Sequence, residues 1–246
     1  MPSEDDGPGP RRLAEVLATD PNERTVPIGP AELAEAAEAA MDPAVRDFVA
    51  GGAGSSGTVR ENRDAFQRHR LRPRVGRDVS SRDLSVDVLG HALDVPLLLA
   101  PIGGQTLVDP EGELATARAA ASRGVPMVLS NVSSSPMERV AEAMGDAPRW
   151  FQLYWLDDRA IVESLVDRAE RAGYSAFVLT MDTPVPPWRE ASLARSQVAP
   201  PGFTLGNFTS DPVLAERLPF DAESNPDRAM EHFQDIRAGQ NATWAD

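Results

Sequence analysis

The 246-residue chain has no cysteine, which excludes a disulfide framework, a thiolate nucleophile and sulfur-ligated metals. It has no lysine either: all 24 basic residues are arginine. That pattern reads as a bias towards GC-rich codons, with one chemical consequence, that no step needing a lysine amine is available to these residues. Its only histidines, His69, His91 and His232, stand away from the positions where chemistry is expected below and read as surface residues. Positive charge is in deficit, 24 basic against 38 acidic residues for a net charge of −14, and an acidic surface of that size argues against nucleic acid or an anionic membrane as partner. No apolar run approaches the roughly 18 residues of a membrane span. The opening Met1–Pro10 lacks the hydrophobic segment of a signal peptide, so the expected location is cytoplasmic. What is present is ordinary for a globular protein, 41% hydrophobic and 25% charged residues.

Residues 1–28, rich in Pro, Gly, Asp and Glu, read as a poorly ordered arm. Residues 29–75 read as a helical segment. Pro30–Met41 is a strong helix former with Pro in its first turn, a short helix follows at Pro43–Ala50, Gly51–Gly57 is a turn, and Thr58–His69 is a further helix. From residue 76 to 246 a different pattern takes over. Val95–Ile102, Val125–Ser130, Trp150–Tyr154 and Ala176–Thr180 are short unbroken apolar runs, as strands buried on both faces of a parallel sheet require. Between them lie helix signals: Asp109-Pro-Glu111 opening a helix that ends at Gly124, a capping box at Ser135–Glu138 with Pro at its first position, and Asp158–Gly173. The last of these sets Ile161, Val162, Leu165, Val166 and Ala169 on one face, with Gly173 as its C-cap.

A strand–helix period of about 25 residues is that of a (β/α)8 TIM barrel, eight units in roughly 250 residues. The expected fold is therefore α/β, with about the first four βα units of such a barrel. A doubly wound sheet is the alternative, but no Gly-x-Gly-x-x-Gly follows the first strand. The long stretch after strand four, Thr183–Asp246, offers one weak helix, Asp227–Arg237.

Sites in parallel α/β folds form at the C-terminal ends of strands. There the sequence sets Ala100–Gln105, Ser130-Asn131, Gln152 with Tyr154 two residues on, and Thr180–Thr183 followed by Arg189. Ser130, Gln152, Tyr154 and Thr180 are neutral hydrogen-bonding groups, a set that suits a heteroaromatic ring with donors and acceptors on its edge and not a metal ion. Any one of them reads equally well as a satisfied core group; their coincidence at successive strand ends favours a site. Asp157-Asp158 reads as a helix N-cap rather than an acid–base pair. Gly51–Gly57 is not a phosphate loop, since no strand precedes it and no Lys-Ser/Thr follows.

Several of these stretches resemble the FMN-dependent 2-hydroxy-acid oxidase/dehydrogenase family: Val49-Ala-Gly-Gly-Ala53, Arg60-Glu-Asn62 with Arg72-Pro-Arg74, Ala100-Pro-Ile102, Asp109-Pro-Glu-Gly-Glu113, Ala115–Ala119, Phe151-Gln-Leu-Tyr154 and Thr180-Met-Asp-Thr183. Ala39–Pro43, Asn207–Val213 and Asn241–Trp244 are most similar to its lactate 2-monooxygenase branch. The resemblance implies FMN across a barrel mouth, with Pro101, Ile102, Gly103, Ser130, Gln152 and Thr180 towards the cofactor and Phe48, Tyr154 and Arg189 towards the substrate. It implies oxidation of a small, lactate-like L-2-hydroxy acid to the 2-oxo acid or its decarboxylated product, with O2 as a possible acceptor. In such a reaction a base takes a proton while two cationic groups clamp the substrate carboxylate.

Two departures bear on this. Phe48 and Asn131-Val132 stand where the family has a substrate-binding tyrosine and an aromatic residue. The family's lysine, catalytic histidine, carboxylate-binding arginine and phosphate site are expected beyond Asp246, so no catalytic residue is assigned within the chain, which by this reading is a truncated product or one subunit of a split enzyme. A half barrel exposes sheet edges, so the alternative is a non-catalytic half-barrel that self-associates or pairs with a complementary C-terminal half.

Overall fold

The computed structural model describes residues 16–20, 27–182, 185, 187–197 and 199–237. Most of the expected arm 1–28, together with Thr183 and the Asn241–Trp244 motif, lies outside the described residues. The helical segment forms as its sequence dictates. Helix α1 (Pro30–Ala40) starts on a proline and buries nothing. Helix α2 (Pro43–Ala50) is capped by Asp42, which accepts from the Ala44 amide at 2.7 Å, and buries Val45. Helix α3 (Gly57–Arg68) follows Ser56, whose hydroxyl accepts from the Gly52 amide at 3.1 Å. The sequence reading missed a small antiparallel hairpin, β1 (Val86–Val88) with β2 (His91–Leu93). Its turn, Leu89-Gly90, has both residues at positive φ, 51° and 80°, as a two-residue hairpin requires; leucine carries no such turn signal.

The centre is a parallel sheet in the order β3 (Met127–Ser130), β4 (Arg149–Tyr154), β5 (Phe177–Thr180). The expected first strand, Val95–Ile102, is corrected to a single bridge. The Leu99 amide donates to Pro126 O at 2.9 Å and Leu99 O accepts from the Val128 amide at 3.0 Å. Pro96 and Pro101 lack the N–H groups that a longer ladder would use. Helices α4 (Gly112–Ser122), α5 (Met137–Met144) and α6 (Arg159–Arg171) follow the Leu99 segment, β3 and β4 in turn. They form one core with Met127, Leu129, Phe151 and Leu153. Alternate residues Ser130, Gln152 and Tyr154 therefore turn to the opposite face. Among the described residues the sheet is open and no barrel closes.

The expected capping box at Ser135–Glu138 is also corrected. Pro136 occupies the N-cap position and Ser135 makes no cap bond. The Met137 amide donates instead to Asn207 Oδ1 at 2.6 Å, a partner 70 residues away. Asn207 belongs to the stretch after β5, where one weak helix was expected and, among the described residues, four short helices form: α7 (Glu190–Ala194), α8 (Gly206–Thr209), α9 (Pro212–Arg217) and α10 (Pro226–Ile236). Arg168 of α6 pins this stretch to the helix layer. It donates to Asn207 O at 2.8 Å, Asp211 Oδ2 at 3.1 Å and Ser210 Oγ at 2.8 Å, and to both oxygens of Glu138 on α5 at 2.9 and 3.0 Å.

Candidate functional site

The sheet sets three of the expected groups side by side at its C-terminal edge. Ser130 pairs in register with Gln152, and Tyr154 with Thr180. Ser130 Oγ donates to Gln152 Oε1 at 2.9 Å, and Gln152 Nε2 donates to Thr180 Oγ1 at 2.9 Å. Ser130 and Gln152 are buried while Thr180 is half-buried. Thr180 is thus the outer end of this chain, and having accepted a bond its hydroxyl still has a proton to donate outward. After β3, Asn131 Oδ1 is buried with no hydrogen-bond partner among the described residues. A donor at the end of β5 and an orphaned acceptor after β3 are the two kinds of group that a heteroaromatic ring edge can meet.

Pro101 and Ile102 are exposed at the end of the Leu99 segment, with Gln105 Nε2 donating to Ile102 O at 3.1 Å. Gly103 serves a closer contact: a Cβ there would lie 2.5 Å from both Cγ2 and O of Val132. Gly104, at φ +68°, would put one 2.4 Å from the Phe203 ring. These glycines let the loop close onto the wall of the neighbouring cavity. The loop is further held by Glu113, whose Oε1 accepts from the amides of Gln105 and Ser134 at 3.1 and 2.9 Å.

That cavity, of about 430 Å³, brings together Phe48, Tyr154 and Arg189. Arg189 Nη1 donates to Phe48 O at 3.0 Å and its Cζ lies 5.2 Å from the Phe48 ring centre. Helix α2 and the turn after it are held there by two further ties: the Gly54 amide donates to Trp188 O at 2.7 Å, and Asp47 pairs with Arg195 at 2.8 Å. Hydrogen bonds from Arg46 and then Arg195 hold the Asp47 carboxyl below the usual carboxylate range. The glycine-rich stretch, expected as a plain turn, also bridges through Gly54 to the segment at Trp188 and Arg189.

Sequence reasoning missed other lining residues: Phe203, Met230, Phe233 and Arg237. Arg237 Cζ sits 5.6 Å from the centre of the Tyr154 ring. A signal existed, because Met230, Phe233 and Arg237 share one helical face at i, i+3 and i+7. None of the histidines lines the cavity; His91 Nε2 lies 2.8 Å from Ser175 Oγ and His232 packs near Phe208. Asp158 does cap α6, accepting from the Ala160 amide at 3.1 Å. Among the described residues no group of three or more His, Asp or Glu could hold a metal, and no helix is long and apolar enough to cross a membrane.

An open parallel sheet with helices between its strands, its hydrogen-bonding groups at the strand ends next to an arginine-bearing cavity, defines a protein of the α/β class. The chain belongs to the FMN-dependent dehydrogenase family, whose sequence profile matches residues 37–246. It is 42% identical over 177 residues to an L-lactate oxidase of Lysinibacillus sphaericus, covering 71% of this chain and 46% of that protein. It is 48% identical over 162 residues to glycolate oxidase 1 of Zea mays, covering 66% of this chain and 44% of that one. Among solved structures, that of mandelate oxidase with (S)-4-hydroxymandelic acid superimposes with a TM-score of 0.73 at 34% identity, over 87% of this chain and 58% of that chain. The chain spans about half the length of the curated relatives it matches. The family's cofactor is FMN and its fold a TIM barrel.

Proposed function

We propose that this chain supplies the flavin-edge and substrate-pocket part of an FMN-dependent 2-hydroxy-acid oxidoreductase and corresponds to about the first four βα units of the barrel. The observation that carries this reading is the hydrogen-bonded row Ser130–Gln152–Thr180 lying beside a cavity that holds Tyr154 and Arg189. Ser130, Gln152 and Thr180, with the main chain at Pro101, Ile102 and Gly103, would hold the ring of FMN. When bound, FMN accepts the two electrons that leave C2 of the hydroxy acid. Arg189 neutralises the substrate carboxylate, and the Tyr154 hydroxyl orients the C2 hydroxyl. Phe48 closes the cavity without a hydrogen bond to the acid. Among the described residues no histidine or carboxylate lines the cavity, so the proton at the substrate is taken by a base that this wall does not supply. The substrate class is a small L-2-hydroxy acid such as lactate, leaving as the 2-oxo acid or, in the monooxygenase manner, as the decarboxylated acid, with O2 the acceptor. Relatives described as lactate and glycolate oxidases support this class.

A second reading rests on a different observation. On the face of β5 that continues the core face of β4, Phe177 and Leu179 are 40% and 41% exposed, and among the described residues β5 pairs with β4 alone. A surface of this kind supports a non-catalytic half-barrel that works by self-association or by pairing with a complementary half.

The test is to load the chain with FMN, remove free flavin by gel filtration and record the visible spectrum of the protein peak. A retained flavin band with shifted maxima is expected. A colourless peak would overturn the flavin-binding reading for this chain and leave the assembly reading standing.

A further inference from the structure

We propose that Glu113 is a positioning residue of the strand-end site: it braces the loop after the Leu99 segment against the loop after β3, and so sets the main chain at Ile102 and Gly103 where a bound ring meets it. This deepens the functional reading above and rests on it for the ring.

Glu113 stands in the first turn of α4 and is fully buried, yet its carboxyl gives nothing to that helix. Its Oε1 accepts from two loop amides, those of Gln105 at 3.1 Å and Ser134 at 2.9 Å. Its Oε2 has no hydrogen-bond partner among the described residues. A carboxylate oxygen withdrawn from water without a donor is unfavourable. Three buried side-chain atoms among the described residues are in that state, and two of them are acceptors at this corner: Glu113 Oε2, and Asn131 Oδ1 in the loop that Glu113 ties. Unmet buried polar groups are rare in protein interiors and ask for a role beyond stability.

The brace reaches the ring-facing main chain through Gln105. The Gln105 amide is held by Glu113, its Oε1 accepts from Thr116 Oγ1 of α4 at 2.6 Å, and its Nε2 donates to Ile102 O at 3.1 Å. Ile102 is thus fastened to α4 by a chain of side-chain bonds. On its other side, Gly103 lies so close to Val132 that no Cβ fits between them, and Val132 belongs to the loop held through Ser134. The two loops therefore touch at Gly103 and are tied at Glu113. The length of the side chain sets the tie. Removing one methylene withdraws the acceptor by about 1.5 Å, the length of a C–C bond, which takes both amides out of hydrogen-bond range unless the loops move towards α4.

The test compares two variants of the full chain. Glu113→Gln keeps the reach and an acceptor but not the charge; Glu113→Asp keeps the charge but not the reach. Without FMN, amide hydrogen exchange at Gln105 and Ser134 should quicken at least about tenfold in Glu113→Asp and less than about threefold in Glu113→Gln, relative to the Phe151 amide inside the sheet. With FMN, fluorescence titration should give at least about tenfold weaker binding to Glu113→Asp, with visible flavin maxima displaced from the parent's. Glu113→Gln should keep the parent's maxima and bind within about threefold. Thr116→Val, which frees Gln105 Oε1, should weaken binding in the same direction by less. Circular dichroism confirms that each variant is folded, and Thr116→Val decides if Glu113→Asp is not. Unchanged exchange at both amides overturns the brace. Unchanged FMN affinity and maxima in folded Glu113→Asp, or in Thr116→Val in its place, leave Glu113 a merely structural residue and overturn the positioning role. Equal losses in Glu113→Gln and Glu113→Asp overturn it as well, since charge rather than reach would then matter. The flavin reading fails on a different result, a parent chain that retains no FMN, and the ring-setting role falls with it.

Discussion

Gln152 is the residue on which the strand-end row depends, because its amide both accepts from Ser130 and donates to Thr180. Gln152→Leu would leave two hydroxyls at the sheet edge without their partner, each costing about 1–3 kcal/mol where it is buried. A lower urea midpoint is expected, together with at least tenfold weaker FMN retention; unchanged FMN binding would show that the row is structural. Phe48 gives a prediction of opposite sign. Its ring already lies against Arg189, and Phe48→Tyr keeps that ring while adding a hydroxyl that can reach a bound carboxylate. A hydrogen bond to a charged group is worth about 1.5–3 kcal/mol, so lactate should bind at least about tenfold tighter, measured by calorimetry. Gly103 is the least tolerant position nearby, since the Val132 carbonyl occupies the place of its Cβ and a main-chain atom cannot swing aside; Gly103→Ala should cost about 1–3 kcal/mol in denaturant unfolding.

At the scale of elements, Asn207 and Arg168 are central to the junction between the helix layer and the stretch after β5. Asn207 Oδ1 caps α5, while its Nδ2 donates to Ser130 O at 3.2 Å and Ser133 Oγ at 3.0 Å. Asn207→Ala orphans buried groups on both β3 and α5. A loss of about 2–4 kcal/mol is expected, seen as a lower thermal midpoint. The Arg168 junction gives the acid response. Partial burial pushes the Glu138 carboxyl up, but hydrogen bonds and charge from Arg168 more than offset this and leave it below the usual glutamate range. The folded state thus binds this proton less readily than the unfolded chain does. The stabilisation is present above the ordinary glutamate value of about 4.5 and is lost as pH falls through the lower folded value. Urea midpoints should be flat from about pH 5 to 8 and drop below that range, less steeply in Glu138→Gln; identical acid limbs would remove Glu138 from the cause. Which elements form was legible in the sequence wherever the signal was local. Helix α6 follows from its apolar face and Asp158 cap, and β3, β4 and β5 from their unbroken apolar runs. The Leu99 segment was overcalled because apolar content was weighed above the missing N–H groups of two prolines. Helix α5 was given the wrong cap because its true partner lies 70 residues on.

For the whole molecule, the open edge at β5 governs behaviour. With Phe177 and Leu179 40% and 41% exposed and the outer edge of β5 unpaired among the described residues, the chain should associate with rising concentration in sedimentation velocity, and Leu179→Lys should shift it towards the monomer. A monomer at all concentrations for both chains would show that this face needs no cover. The sequence alone determined the α/β class, the parallel sheet with helices between its strands, and the polar residues gathered at strand ends, because period, capping and strand-end position are set by neighbours a few residues apart. Only the tertiary structure decided that Phe48 and Arg189 meet, that Asn207 caps a helix of another unit, and that Arg237 comes to rest on Tyr154. Those contacts span 141, 70 and 83 positions; they exist because apolar burial draws the helical segment and the stretch after β5 onto the same sheet, and no local pattern carries that distance.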